Sequence, residues 1–167
     1  MEIITIFAPN LYAVQYNGEE YDELERLFDL WTDPEYLSNF FNEHKENLEY
    51  FKVNVEEAII KTLEEAEELE DMIVNKISPT FIPLNDTDFG LYELTKHKAK
   101  ISWLRIYAIH IEDNVFLITG GAIKLTRAMQ DNPITNKELT KLTQCRDFLK
   151  ENNVFDSASF YQLLTEK

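Results

Sequence analysis

Apolar residues recur along this chain at two different periods, and the switches between them mark its elements. Met1 to Tyr16 reads as strand interrupted at Pro9-Asn10, with Ile3, Ile4 and Ile6 before the break and Leu11, Ala13 and Val14 after it. Asn17-Gly18 is a turn signal that either closes a hairpin or releases the chain into a helix. From Glu19 to Trp31, the residues Tyr21, Leu24, Leu27, Phe28 and Trp31 recur at three- and four-residue steps, the spacing of one helix face. Asp33 before Pro34 is a cap followed by proline at the first helical position, and Leu37, Phe40 and Phe41 form the next stripe. Asn54 with Glu57 makes a capping box that opens the longest helix, to about Ile77. One side of that helix carries Val55, Ile59, Leu63, Ala66, Leu69, Ile73 and Ile77. The other carries Glu56, Glu57, Glu64, Glu65, Glu67, Glu68, Glu70 and Asp71.

The period then changes. Ser78 to Phe89 holds two prolines and a polar cluster and reads as loop, and Leu91, Tyr92 and Leu94 are compatible with a short helical turn. Ile101 to Ile111 and Val115 to Thr119 are β-rich runs joined by Glu112-Asp113-Asn114, which predicts a β-hairpin. Alternation places Trp103, Arg105, Tyr107 and Ile109 on one face of its first strand and Leu104, Ile106, Ala108 and His110 on the other. Gly120-Gly121 is expected to end the second strand, since glycine takes backbone angles that other residues resist. Thr135 with Glu138 forms a second capping box for a helix to about Glu151, stopped by Asn152-Asn153. Asp156 caps a last short helix whose Phe160, Leu163 and Leu164 face inward.

Charge changes this picture more than composition does. The 167 residues, 44% apolar and 13% aromatic, suffice for one domain with a substantial core. No apolar run approaches the ~20 residues of a membrane span, and the amino terminus lacks the basic lead of a signal peptide. The single cysteine, Cys145, lies among Leu139, Leu142, Phe148 and Leu149 at helical spacing. It reads as a buried structural thiol and fits a reducing cytoplasm. The net charge of −15 is unevenly spread: residues 1–95 hold 5 Lys+Arg against 23 Asp+Glu, −18, whereas residues 96–167 hold 11 against 8, +3. Such asymmetry marks surfaces that meet different partners. As a whole the molecule repels nucleic acid at long range, which counts against a free RNA-binding enzyme. The glutamate-rich face has no histidine and no Glu-x-x-His pair, so it reads as solvated or as a mate for a basic partner, and no metal site is expected.

The basic half has a second reading. The stretch L-R-I-Y, an acidic turn ending in Asn, then V-F-L-I-T-G-G-A-I-K-L-T-R, followed by a proline-containing loop and a helix, resembles the carboxy-terminal half of the RelE/HigB-like toxins. The match covers roughly residues 100–150. The resemblance implies an α+β, RelE-like fold: a small antiparallel sheet with the amino-terminal amphipathic helices packed on it and carboxy-terminal helices after it. It would form a single domain over 1–167, divided into an acidic helical half 1–77, a loop 78–90, and a basic hairpin with its helices over 91–167. The implied activity is a metal-independent, cofactor-free endoribonuclease acting on messenger RNA, free or on the ribosome, and silenced by an antitoxin protein. Such chemistry needs cations on the scissile phosphate and a group to move the 2′-hydroxyl proton. By resemblance, Arg105 takes the place of the strand arginine, and Lys124 and Arg127 that of the basic residues after the last strand. His97, Tyr107 and Lys98 stand in for the proton-transfer group by position only, and Lys96, Lys98, Lys100 and Trp103 are the candidate RNA-binding residues.

Each candidate also has a plain structural reading. Arg105 beside aromatics can be a stacked arginine paired with the acidic helices, and His110, at a strand end on an apolar face, reads as a structural histidine. No phosphate-cradling glycine loop, Cys-x-x-Cys pair, His-Glu-x-x-His motif or Gly-x-Ser-x-Gly elbow occurs, which leaves nucleotide-fuelled, zinc-dependent and serine-hydrolase readings without support. Three functions follow. The first is the toxin; the second is a non-catalytic RelE-fold module whose acidic helices contact a basic partner. The third is an enzyme whose acidic half covers its own basic face.

Overall fold

The structure, a computed structural model, describes residues 1–5, 11–74, 82–83, 91–94, 102–112, 115–125 and 133–166. Strands β1 (Glu2–Thr5) and β2 (Leu11–Gln15) precede helices α1 (Glu23–Trp31), α2 (Pro34–Glu43), α3 (Lys45–Phe51) and α4 (Val55–Val74). Short strands β3 (Ile82–Pro83) and β4 (Leu91–Leu94) lead to the long pair β5 (Leu104–Glu112) and β6 (Val115–Ile123), then to helices α5 (Pro133–Glu151) and α6 (Ser157–Thr165). The six strands form one sheet in the order β1-β2-β6-β5-β4-β3. The fold is α+β, as expected, but the sheet is mixed: β2 runs parallel to β6, with Leu11 opposite Phe116 and Ala13 opposite Ile118. Leu91 to Leu94 is strand and not a helical turn, because it completes a ladder against Ile106–Ile109.

Alternation along the strands supplies two cores. Leu11, Ala13, Leu104, Ile106, Ala108, Ile118 and Ile123 face α1–α4. Tyr12, Val14, Tyr107, Ile109, Val115, Leu117 and Ala122 face α5 and α6. Helices therefore cover both faces of the sheet, and the acidic half of the chain is one layer of a three-layer structure. Each large apolar side chain buried this way contributes about 1.5–3 kcal/mol.

Local chemistry sets the helix boundaries. Asp22, not Glu19, begins α1, its carboxylate accepting the N–H groups of Leu24 and Glu25 at 3.0 and 3.1 Å. Asn17-Gly18 releases the chain towards that helix with Gly18 at φ +87°, a left-handed angle suited to glycine. Asp33 caps α2, and the reciprocal bonds of Asn54 and Glu57 cap α4. Asn153, at φ +60°, ends α5, and the Val154 N–H returns to the Leu149 carbonyl at 2.9 Å. Asp156 caps α6 in a capping box with Ser159.

Four expectations are corrected. The buried line of α4 runs through Ala58, Thr62, Glu65, Ala66, Leu69 and Ile73, so the stripe is rotated and has two polar residues at its centre. Glu65 leaves the solvated row: it accepts the N–H groups of Trp103 and Leu104 and the hydroxyl of Ser102, at 3.1 Å in each case. That turn of the backbone puts Trp103, which precedes β5, on the α4 side against Phe41 and Phe51, away from the Arg105 face. The Trp103 indole N–H donates to Thr62 Oγ1 at 2.8 Å. Finally, Gly120-Gly121 lies inside β6. Tyr107 opposes Gly120 while Ala108 opposes Ile118, so Thr119 is a bulge residue and the alternation restarts after it.

Candidate functional site

The predicted site residues separate into three groups. Arg105 is half-buried on β5, its Nη1 donating to the carbonyls of Ser102 and Leu104 at 3.1 and 3.0 Å. It opposes Ala122, and the Lys124 N–H extends the same ladder to the Trp103 carbonyl at 2.6 Å. Lys124 is thus two residues beyond the partner of Arg105 and on the same face, a diagonal neighbour about 7–8 Å away between Cα atoms. Trp103 and Tyr107 are fully buried, in opposite cores, and present no ring face for a base to stack upon. Lys96, His97, Lys98, Lys100 and Arg127 lie outside the described residues. His110 packs its ring on Phe116, with centroids 4.9 Å apart.

A second constellation was not foreseen, and it follows from strand topology. The described pairing of β2 with β6 stops at Ala13 and Ile118, so among the described residues the half of β6 after Thr119 has no strand on that side. Side chains close it instead. The Tyr16 hydroxyl donates to the Thr119 carbonyl at 2.7 Å and lies 3.2 Å from the Cys145 sulfur. Beyond it, α1 and α5 approach from the two faces of the sheet and meet through charge. Glu23 of α1, 1% exposed, pairs with both Arg26 and Lys141. Lys141 of α5 also pairs with Glu138 at 2.8 Å and lies over the Tyr16 ring, 4.9 Å from its centroid. Arg26 Nη2 is 3.8 Å from Glu138.

The glycine pair makes this meeting sterically feasible. A Cβ on Gly120 would stand 2.5 Å from Glu138 Oε2, and one on Gly121 would stand 2.5 Å from the Arg105 carbonyl and 2.8 Å from Leu27 Cδ1. Neither glycine has a positive φ, so the absence of a side chain is what matters. The sequence suggests Glu138 as a partner in the cap of α5, but that helix begins at Pro133, so Glu138 lies within it and is one corner of a buried charge quartet.

The quartet is electrostatically closed, with two carboxylates against two cations. Burial pushes the Glu138 carboxyl up, and Glu23 adds to the effect, while Lys141 and Arg26 oppose it. Burial works to lower Arg26, but the Glu23 carboxylate overcomes this and raises it. Burial also raises the Tyr16 hydroxyl far above the usual phenol range and pushes the Cys145 thiol up, which keeps the cysteine an un-ionised core residue.

Next to the quartet, a cleft of about 350 Å³ opens between α1, α2 and α5 above Gly121, Ala122 and Ile123. Its polar lining is Arg26, Tyr36, Lys137 and Glu138, and its apolar lining includes Leu30, Trp31 and Phe40. Burial raises the Tyr36 hydroxyl, which also feels the charges of Arg26 and Glu138. No family model matches the chain, and neither a curated protein nor a solved structure matches it. Among the described residues no cluster of His, Cys, Asp or Glu has the arrangement of a metal site, and no helix is long and apolar enough to cross a membrane. A signal for the cleft was present in the sequence as Arg26 and Glu138, each at the polar margin of an apolar stripe, but nothing in their spacing linked residues so far apart.

Proposed function

We propose that this chain is a protein-binding module, with the RelE-like architecture its basic half suggests, whose acidic helical layer engages a basic partner. The observation that carries this reading is the outward face of α4. Glu56, Glu64, Glu67, Glu70 and Asp71 are all exposed there, and Ile60, 56% exposed, sits among them. On the helix surface Ile60 has Glu56 and Glu64 four residues to either side, an apolar anchor in a ring of like charge. The burial of Trp103 and Tyr107 supports the reading further, by removing two of the residues an RNA site would use.

The test is retention of partners from a bacterial lysate by the immobilised chain, set beside a Glu64→Lys, Glu67→Lys, Glu70→Lys variant of equal helicity. A stoichiometric basic protein held by the wild type at low salt, released at high salt and lost from the variant is the expected result. Identical retention by both proteins would remove the acidic face from the interface.

One observation favours a second reading, a RelE/HigB-like toxin of a toxin–antitoxin pair acting as an endoribonuclease. It is the diagonal placement of Arg105 and Lys124 on one sheet face, which suits two cations sharing a phosphate. Inducible expression in a bacterial host separates the two. Growth arrest with messenger-RNA cleavage by the wild type, but not by Arg105→Ala, Lys124→Ala, supports the toxin. Normal growth with intact RNA supports the binding module.

A further inference from the structure

We propose that the cleft between α1, α2 and α5 is a binding site for a small organic anion, a carboxylate on an apolar or aromatic body. Its volume of about 350 Å³ lies within the range of small-molecule sites. The chemistry follows from which lining groups are already engaged. Glu138, the acid of the cleft, is committed to Lys141. Arg26 commits Nε and Nη2 to Glu23, and its Nη1 bonds no described residue. Lys137 is exposed and enters no ion pair among the described residues, and the Tyr36 hydroxyl bonds none of them. Three hydrogen-bond donors are therefore unspent around one opening; the Arg26 charge is balanced within the quartet, which is neutral in sum, so the net positive charge at the opening is that of Lys137. Such a set selects an acceptor with negative charge.

Leu30, Trp31 and Phe40 are part of its apolar lining. A carboxylate held by Arg26 and Lys137 would lay its apolar body against them, the usual division of a ligand site into many apolar contacts and few polar ones. The quartet fixes Arg26 in place: two bonds to Glu23 hold the guanidinium plane, so the free edge is presented with little loss of side-chain entropy on binding.

The chain has two tryptophans, and only Trp31 lines the cleft; Trp103 is locked against α4. Their two indole N–H signals, assigned with Trp31→Phe, give an internal control in a nitrogen–proton correlation spectrum of the full chain. The probes are 4-phenylbutanoate and octanoate, with 4-phenylbutanol as the neutral counterpart. A saturable shift of the Trp31 signal with the acids, an unmoved Trp103 signal, and affinity about tenfold lower for the alcohol and for Lys137→Glu are expected. Lys137 is exposed, so its replacement leaves the fold intact, which the dispersion of the same spectrum verifies. Absence of a saturable Trp31 shift with both acids, equal affinity for acid and alcohol, or unchanged affinity in Lys137→Glu would each overturn the proposal.

Discussion

A single methyl group distinguishes the two glycines of β6. Alanine at Gly120 meets the carboxylate end of Glu138, which is held by Lys141 but ends a side chain that can turn; alanine at Gly121 meets the Arg105 carbonyl, which is backbone. Gly120→Ala is therefore expected to cost about 1–2 kcal/mol and Gly121→Ala about 3 kcal/mol, the overpacking range, measured by urea unfolding. The reverse order would place the constraint in the helix and not in the strand. Glu65 sets a pH dependence. Burial raises its carboxyl above the ordinary value, against the opposing bonds from Trp103, Leu104 and Ser102. The folded state then binds that proton more tightly than the unfolded chain. Its contribution is greatest below the ordinary carboxylate range and is lost as pH rises through the folded-state value. Wild type should be more stable near pH 5 than near pH 7, and Glu65→Gln should flatten that difference. A variant with the wild-type slope would assign the slope elsewhere, with Glu138, raised in the same direction, the next residue to replace.

Between elements, the contact of α1 with α5 is ionic where most contacts in this fold are apolar. Lys141 serves two acids at once, Glu23 and Glu138, both nearly excluded from water. Lys141→Met leaves two buried carboxylates with Arg26 alone, and a loss of about 3–5 kcal/mol is expected by thermal or urea unfolding. A double replacement, Lys141→Met with Glu138→Leu, should recover part of that loss, since removing both partners of a buried pair costs less than removing one. The opposite interface, α4 with β5, is built differently. Thr62 takes the Trp103 indole N–H and Glu65 takes the backbone N–H groups of Trp103 and Leu104, so the longest helix positions the start of the hairpin. Arg105 and Lys124 sit next to that start, and their spacing depends on a helix with no catalytic candidate of its own.

At the scale of the whole molecule, the acidic half supplies β1, β2 and the entire helical layer on one face. Deleting residues before Asn85 strips that layer, exposing Leu104, Ile106, Ala108 and Ile118. The fragment is expected to aggregate on expression, measured as loss of the soluble fraction; a soluble, folded fragment would show that the basic half carries its own core. Local signals were legible wherever a short stretch decides its own conformation. Asp33-Pro34, Asn54 with Glu57, Asn152-Asn153 and Asp156 all act on backbone within a few residues, and the hairpin of β5 and β6 follows from two apolar runs around a turn. The inward face of β5 after Leu104 was legible for the same reason, since its alternation is unbroken. The bulge at Thr119, the parallel pairing of β2 with β6, and the meeting of Glu23 with Lys141 were not. The bulge depends on how the two hairpin strands register, and the other two on which segments become neighbours across more than a hundred residues; a charge or a glycine has the same local pattern whether its partner is water or another helix. The sequence by itself determined the long helices, the caps at Asp33, Asn54 and Asp156, the hairpin of β5 and β6, and the acidic surface. Tertiary structure alone decided that Glu65 and Glu138 are buried, that Gly120 and Gly121 are points of close approach, and that a cleft opens beside them, because burial is a property of the assembled neighbours and not of the residue.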